Sequence, residues 1–527
     1  MSALTAVLAQ ATTPPDGTTA IETPEIVWSA VMPIVVLVVG AVLILTFASL
    51  LKGKVRPEGY AFATIAIAVA AMATAVPLWN QIQDPAEGPF TAIAGAIGVD
   101  GFSVFLTFVI CGSVILAALL ASDYLREEGQ PAAEVYALLL FSAAGGVIMA
   151  SADDLIVMFM GLETLSLPVY VLAATQARRQ SSREAGMKYF VLGAFSSAFF
   201  LYGVALIYGA TGSTNLADIS SLLSENVLLE NGLLLAGLGF LLVGFGFKIS
   251  AVPFHQWTPD VYQGSPSPIV AYMAGGVKAA GFAGLLRVFY LGFDAYGTDW
   301  QPLIYALAVA SLLGGAILAL VQTDVKRMLA YSSINHAGFI LVGVEANSAF
   351  GVQAVLFYLA SYAAIVAGSF GVISVVGRAT GGRHDLSAYR GLSKSNPGLA
   401  LAFTVFLLAQ AGVPFTSGFF AKFEVLAAAV DASSYWLALV AMISAVISAF
   451  LYLRIVATMY VAGEEGEEVD PLLAGSDTAV IERTKVKVGA ASALAIGIAL
   501  FITIEAGLLP WTFTDLAADA VPVLIAG

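Results

Sequence analysis

One cysteine, three histidines, 22 basic and 36 acidic side chains in 527 residues make this a chain poor in reactive and charged groups. Each scarcity excludes something. A single thiol, Cys111, set in an apolar run, rules out a disulfide framework and any cysteine-ligated iron–sulfur or zinc site within the chain. The histidines, His255, His336 and His384, lack the placement of haem ligands. No glycine-rich nucleotide loop sits between a strand and a helix. The chain therefore has no means of its own to bind ATP or carry electrons, and energy for any work must come from an ion gradient or a partner. The net charge of −14 is no sign of a nucleic-acid partner. Much of it comes from acidic connections and from "GEEGEEVD" at residues 463–470, which reads as a solvated loop.

What the chain has instead is apolar surface. It is 59% hydrophobic and 11% charged, with a mean hydropathy of +0.90, more than a soluble core can hide. A membrane helix needs about 20 apolar residues, and the pattern predicts fourteen, at 26–50, 60–80, 100–121, 133–151, 153–175, 186–210, 232–263, 268–292, 301–321, 325–345, 351–377, 397–430, 434–462 and 487–508. The fold class is an all-α polytopic membrane protein.

Lysine and arginine occupy alternate connections only: Lys52, Lys54 and Arg56; Arg126; Arg178, Arg179 and Arg183; Lys326 and Arg327; Arg378, Arg383, Arg390 and Lys394; Arg483, Lys485 and Lys487. The other connections and both tails carry acids, among them Asp84, Asp153, Asp218, Glu230, Asp299, Glu345 and Asp515. Positive loops stay in the cytoplasm, so both termini are expected on the outer side. The N-terminal "MSALTAVLAQA" has no positive n-region and reads as an outer tail rather than a signal peptide.

Spans seven and twelve are long and interrupted, by "SAVPF" around Pro253 and "QAGVPF" around Pro414. Proline inside a helix removes a hydrogen bond and clashes with the preceding turn, and in hydrocarbon such breaks are tolerated where they line a polar cavity. The prolines lie 161 residues, or five spans, apart. An odd number of spans reverses direction, so the pattern predicts two inverted five-helix repeats, helices 4–8 and 9–13. The expected divisions are 1–131, 132–292, 293–462 and 463–527.

Five ionisable residues fall in mid-span: Glu163, Lys248, Lys278, His336 and Lys422. Each costs about 2.5–3.5 kcal/mol to insert and marks function by default. Desolvation makes a buried lysine surrender its proton more readily, and a nearby carboxylate holds the proton on; histidine passes one near neutral pH. Together the five spell a proton relay, against the blander reading of a Glu–Lys pair that locks helices and a histidine that merely packs. His255 beside the first break either feeds the chain or caps freed backbone. Lys188 and Lys326, near inner helix ends, either snorkel to the interface or guard the cytoplasmic entrance. Arg287 reads as a helix anchor or an acid's partner.

The stretches "GLETLSLPVYVLAA", "GFGFKISAVPFHQWTPDVYQGSPSPIVAYMAGGVKAAGF", "KRMLAYSSINHAGF" and "AGVPFTSGFFAKF" resemble the antiporter-like membrane subunits of bacterial NADH-quinone oxidoreductase, respiratory complex I, and among them subunit N. The likeness covers roughly residues 130–460. It places the family's fifth-helix glutamate on Glu163, its seventh- and eighth-helix lysines on Lys248 and Lys278, its tenth-helix histidine on His336 and its twelfth-helix lysine on Lys422. Sister subunit M carries glutamate at the last of these, and subunit L has a lateral helix for which this chain has no room. The resemblance implies proton translocation coupled to quinone reduction elsewhere in the complex, with Glu163 and Lys248 as coupling pair, Lys278 and His336 as connectors, and Lys422 on the exit side. It implies no cofactor in this chain, with NADH, FMN, iron–sulfur clusters and quinone held by partner subunits. It also implies other complex I membrane subunits as neighbours, subunit M and the small ones included, and a place in the cell's inner (plasma) membrane. A multi-subunit sodium/proton antiporter, a pure scaffold and a solute transporter are the rival readings.

Overall fold

The computed structural model describes residues 26–51, 55–130, 132–176, 178–225, 231–461 and 486–523. The 1–25 tail, the acidic run 463–470, and Lys52, Lys54, Glu230, Arg483 and Lys485 lie outside the described residues.

Helix follows helix throughout: α1 (Trp28–Leu50), α2 (Pro57–Gln83), α3 (Gly101–Glu128), α4 (Ala133–Ser151), α5 (Leu155–Ala173), α6 (Gln180–Thr211), a short α7 (Leu216–Glu225), α8 (Gly232–Ile249) and α9 (Trp257–Gly264). Then come α10 (Ser267–Gly292), α11 (Gly297–Leu320), α12 (Val325–Glu345), α13 (Ala349–Ala379), α14 (Pro397–Ala411), α15 (Ser417–Asp431), α16 (Tyr435–Tyr460), α17 (Ala490–Leu508) and a terminal α18 (Trp511–Ala518). Twelve of these are long and apolar enough to cross a bilayer. The other two crossings are α12, which is too polar to stand out by composition, and the broken pair α14–α15. The first predicted break likewise divides α8 from α9. The sequence pattern did not foretell α7, α18 or a small antiparallel hairpin, β1 (Phe90–Ala92) with β2 (Ile97–Val99).

Burial sorts the helices. Every residue of the α10 core window and nearly all of that of α13 are buried, whereas α1, α2, α6 and α16 are mostly uncovered. Their exposed side chains are large and apolar, such as Phe62, Phe195, Trp436 and Val446. A soluble surface does not look like this, whereas lipid tails as apolar as leucine cover it without cost.

The two repeats carry matching clamps. Asp154 bridges to Asn215, and Asp324 bridges to Asp385, positions that differ by 170 in both cases. In the first clamp Leu155 N donates to Thr214 O (2.8 Å) and Leu216 N to Asp153 O (2.7 Å). In the second Val325 N donates to His384 O (2.7 Å) and Leu386 N to Thr323 O (3.0 Å). Asp154 and Asp324 also cap α5 and α12, taking backbone N–H groups that begin those helices. Five crossings separate the clamps, so they sit at opposite faces of the bundle. The repeat is inverted.

Ion pairs gather the basic connections at one of those faces. Arg179 reaches Glu128, Arg378 reaches Glu127, and Arg327 and Lys188 share Asp260. At the other face Arg287, fully buried near the end of α10, is the acid's partner that its position suggested. Its Nη2 lies 2.7 Å from Asp100 Oδ1 and its Nη1 2.6 Å from Asp153 Oδ1, while Nε donates to Ala150 O at 2.6 Å. This knot ties α10 to the hairpin and to the α4–α5 link. Removing one partner of a buried pair costs about 3–5 kcal/mol. We expect Arg287→Met to lower the amount of folded chain recovered from membranes severalfold, as read by native gel, with Arg287→Lys recovering only part of it because an ammonium lacks the two-pronged fork.

Candidate functional site

The two breaks are built alike. α8 ends with Ser250 in the left-handed region (φ 65°), and α14 ends with Gly412 there (φ 90°). At Gly412 a side chain would also press on Lys422, whose Cδ lies 3.0 Å from where a Cβ would stand. Carbonyls at the breaks take side-chain donors: Trp257 Nε1 joins Ser250 N on Phe247 O, at 3.0 and 3.2 Å, and Lys422 Nζ donates to Ala411 O at 3.0 Å. Ser311 Oγ accepts from Val252 N at 2.9 Å. Pro253 and Pro414 themselves stand exposed at the bends.

Glu163 is half-buried on α5 and accepts a hydrogen bond from Ser197 of α6. One turn along α5, Ser166 accepts from Lys248 Nζ at 2.6 Å and donates to Leu162 O. The expected Glu163–Lys248 pair is thus not a direct contact: the lysine goes to the hydroxyl, and the rings of Tyr170 and Tyr189 flank it at 5.6 and 5.8 Å. Glycine at 281 lets the Lys248 stem lie against α10, where a Cβ would stand 3.0 Å from its Cγ. Lys278, three residues away on α10, follows a π-helical turn at Met273–Val277, a distortion that recurs at functional positions.

From Lys278 the line crosses to α12. Lys278 Nζ donates to Ser333 O at 2.7 Å. The Tyr362 ring lies 5.9 Å from that ammonium and 4.7 Å from the His336 ring, so one aromatic spans the gap. His336 is held at both nitrogens, Nδ1 2.7 Å from Tyr358 OH and Nε2 3.2 Å from Tyr452 OH. Tyr452 OH in turn sits 2.7 Å from Ser332 Oγ, which reaches Gln410 Oε1 at 3.1 Å, and Gln410 Nε2 donates to Ser369 Oγ at 2.9 Å. In the arrangement that makes every bond, Ser332 donates to Gln410, Tyr452 to Ser332, His336 Nε2 to Tyr452, and Tyr358 to His336 Nδ1. The reverse arrangement, with Ser332 donating to Tyr452, Tyr452 to His336 Nε2 and His336 Nδ1 to Tyr358, moves the imidazole proton to the other ring nitrogen and gives up the Ser332–Gln410 bond, because an amide oxygen can only accept. Lys422, held to Ala411 O at the end of α14, completes the line; its Nζ lies 4.7 Å from the Phe339 ring, and Phe339 neighbours His336 at 6.5 Å.

Among the described residues none of Lys248, Lys278 and Lys422 has a carboxylate in ion-pair contact; each donates to a hydroxyl or a carbonyl. A proton can leave such an amine without breaking an ion pair. The supporting residues divide. Lys188 lies off the line, paired with Glu184 (2.6 Å) and Asp260 (2.7 Å). Lys326 does not snorkel: it is 3% exposed and donates to Ser265 O at 2.5 Å, because the end of α9 closes over it. His255 is half-buried in the first break, its Nδ1 without a partner among the described residues, and stays apart from the line. The charged members were legible in sequence; Ser166, Ser197, Ser332, Tyr358, Tyr452 and Gln410 were not, although "GAFSSAFF" and "YSSINH" put hydroxyls in apolar runs.

A polytopic bundle with two broken helices and a buried line of lysine, histidine and hydroxyl side chains defines an antiporter-like membrane subunit. Residues 152–448 match the family described as "NADH:quinone oxidoreductase/Mrp antiporter, TM". The chain is 38% identical to NADH-quinone oxidoreductase subunit N 3 of Streptomyces griseus subsp. griseus over 94% of each chain. A chain of respiratory complex I from Thermus thermophilus is 34% identical, with a TM-score of 0.74 over 92% of this chain and all of that one. A chain of the Mrp complex from Dietzia sp. DQ12-45-1b, 21% identical, shares the fold with a TM-score of 0.79 over 94% of this chain and 97% of that one. The chain belongs to the NADH-quinone oxidoreductase subunit N family.

At the basic face, outside the spans, His384 stands below Lys326 and Arg179. Burial first, then those two cations, push its imidazole from 6.5 down to about 3, with Asp385 pulling weakly the other way. Between those values the unfolded chain binds a proton that the folded chain does not, so this contribution is full above about 6.5 and is lost as the pH falls. We expect the melting temperature of the detergent-solubilised complex to drop on going from pH 7 to pH 5, and the drop to shrink in His384→Gln when both are followed by scanning fluorimetry.

Proposed function

We propose that this chain is a proton-translocating membrane subunit of an NADH-quinone oxidoreductase, and that Glu163, Lys248, Lys278, His336 and Lys422 carry the protons. One observation supports the relay above all others: three buried lysines and a doubly bonded histidine form one line across both repeats, with hydroxyls, carbonyls and aromatic rings between them and no ion pair among the described residues to lock them. Glu163, bound to Ser197 and one turn from Ser166, sets the charge that Lys248 feels; Lys278 and His336 connect the repeats; Lys422, tied to the carbonyl freed by the second break, hands the proton on toward the outer side. Electron transfer from NADH to quinone takes place in partner subunits, which hold FMN and the iron–sulfur clusters, and the small membrane subunits and subunit M are the neighbours. The chain sits in the plasma membrane with its basic face toward the cytoplasm and both termini outside, as the loop charges require. Residues 132–292 and 293–462 are the two repeats, flanked by 1–131 and 463–527.

The sodium/proton antiporter reading has less support: the family matched by residues 152–448 takes in both kinds of protein, but the Mrp chain is 21% identical against 38% for the subunit N relative. The scaffold reading leaves three desolvated lysines without a task.

The test uses inverted membrane vesicles carrying Lys248→Ala, with assembly checked by native gel. We expect NADH-to-quinone rate and lumen acidification to fall together by about tenfold or more, the loss when a step's barrier rises by about 1.4 kcal/mol. Parental levels of both in an assembled complex would sink the relay and leave the scaffold reading. In Ser166→Ala, which keeps the lysine and removes its acceptor, we expect a smaller loss, about two- to fivefold, for one hydrogen bond of about 0.5–1 kcal/mol.

A further inference from the structure

The proton line leaves a second polar cluster unused. At the basic face, between the ends of α3, α6, α9, α12 and α13, lies a cavity of about 240 Å³. Four buried side-chain atoms on its wall have no hydrogen-bond partner among the described residues: Gln176 Nε2, Ser265 Oγ, Ser374 Oγ and His384 Nδ1. Gln176, Ser265 and Ser374 are 4%, 1% and 2% exposed, so bulk water does not satisfy them. All four can donate, and none is a carbonyl or carboxylate oxygen that must accept. A buried donor left unmade costs about 1–3 kcal/mol. Four around one cavity call for an occupant rich in acceptors.

The charges agree. Arg179, Lys326 and Arg378 border the cavity against two acids, Glu128 and Asp324. Asp324 caps α12 by accepting from Arg327 N at 2.9 Å. Glu128 sits on the rim, 3.5 Å from Arg179 Nη2. Arg378 Nη1 is ion-paired to Glu127 Oε1 at 2.8 Å, outside the lining, so the guanidinium meets the cavity with one edge already held. Two helices also begin here, α6 with Ser181 and α10 with Ser267 on the wall, and helix N-termini favour anions. The cavity lies level with the ends of the spans, where phospholipid headgroups lie, on the face whose basic loops attract anionic lipid.

We propose that this cavity binds a phosphate oxyanion, presented by the headgroup of an anionic phospholipid. Arg179 and Arg378 supply charge, Gln176, Ser265 and Ser374 supply neutral donors, and a volume of this size holds a phosphate group with several waters. The rim, with Arg179 43% exposed, is the side from which the lipid enters.

The experiment strips the assembled complex of lipid and titrates it with phosphatidylglycerol, phosphatidylcholine or inorganic phosphate, counting bound molecules by native mass spectrometry. We expect the parent to hold one phosphatidylglycerol more than Arg179→Gln at subsaturating concentration, with the affinity of that site falling about tenfold in Gln176→Leu, and no such difference for phosphatidylcholine. Ser374→Ala removes a donor without changing charge or bulk, so the test stands even if Arg179→Gln assembles poorly. Equal phosphatidylglycerol binding by parent and all variants overturns the proposal. A site-dependent count for inorganic phosphate but not for phosphatidylglycerol keeps the oxyanion chemistry and overturns the lipid as its source.

Discussion

Everything in this bundle answers to one constraint: inside a bilayer each backbone N–H and C=O must be paired within the protein. A continuous helix meets it automatically. A break does not, and both breaks here are closed by a side chain that does a second job. Trp257 adds a second donor to Phe247 O, beside Ser250 N, while stacking on Tyr189 at 4.2 Å next to Lys248. Lys422 satisfies Ala411 O with the ammonium that completes the charged line. The polar pocket and the means of tolerating it are the same atoms.

The repeats have diverged around that shared plan. The clamps are offset by 170 residues and the prolines by 161, so the segment between clamp and break has been shortened in the second repeat. The lysines moved as well. Lys248 precedes its break, and Lys422 follows its own. Because the repeats are inverted, these opposite placements put both lysines on the same side of their breaks.

Much of this could be read from the chain. Hydropathy marked the crossings because the lipid-facing helices are apolar all round, and the two Val-Pro-Phe motifs announced the inversion. Glu163, Lys248, Lys278, His336 and Lys422 stood out because a lone charge in an apolar run is costly enough to need a task. Serine, tyrosine and glutamine are cheap to place there, which is why Ser166, Ser332, Tyr358, Tyr452 and Gln410 stayed hidden: their roles depend on which helix packs beside them. Lys326 failed as a snorkelling residue for the same reason. Nothing in its neighbourhood along the chain tells that Ser265, 61 residues away, covers it. The Glu163–Lys248 contact was expected as a pair of opposite charges, and a hydroxyl one turn further along α5 took the lysine instead.

The polarity of α12 bears on how the chain is made. It carries Lys326, Arg327, Ser332, Ser333, Asn335, His336 and Glu345 within 21 residues, and alone it is a poor substrate for a translocon that sorts segments by partition into lipid. Its neighbour α11 is apolar and packs along it, with Asn335 Nδ2 donating to Leu312 O at 2.7 Å. The segment with the densest chemistry thus depends on its apolar neighbour for its place in the bilayer.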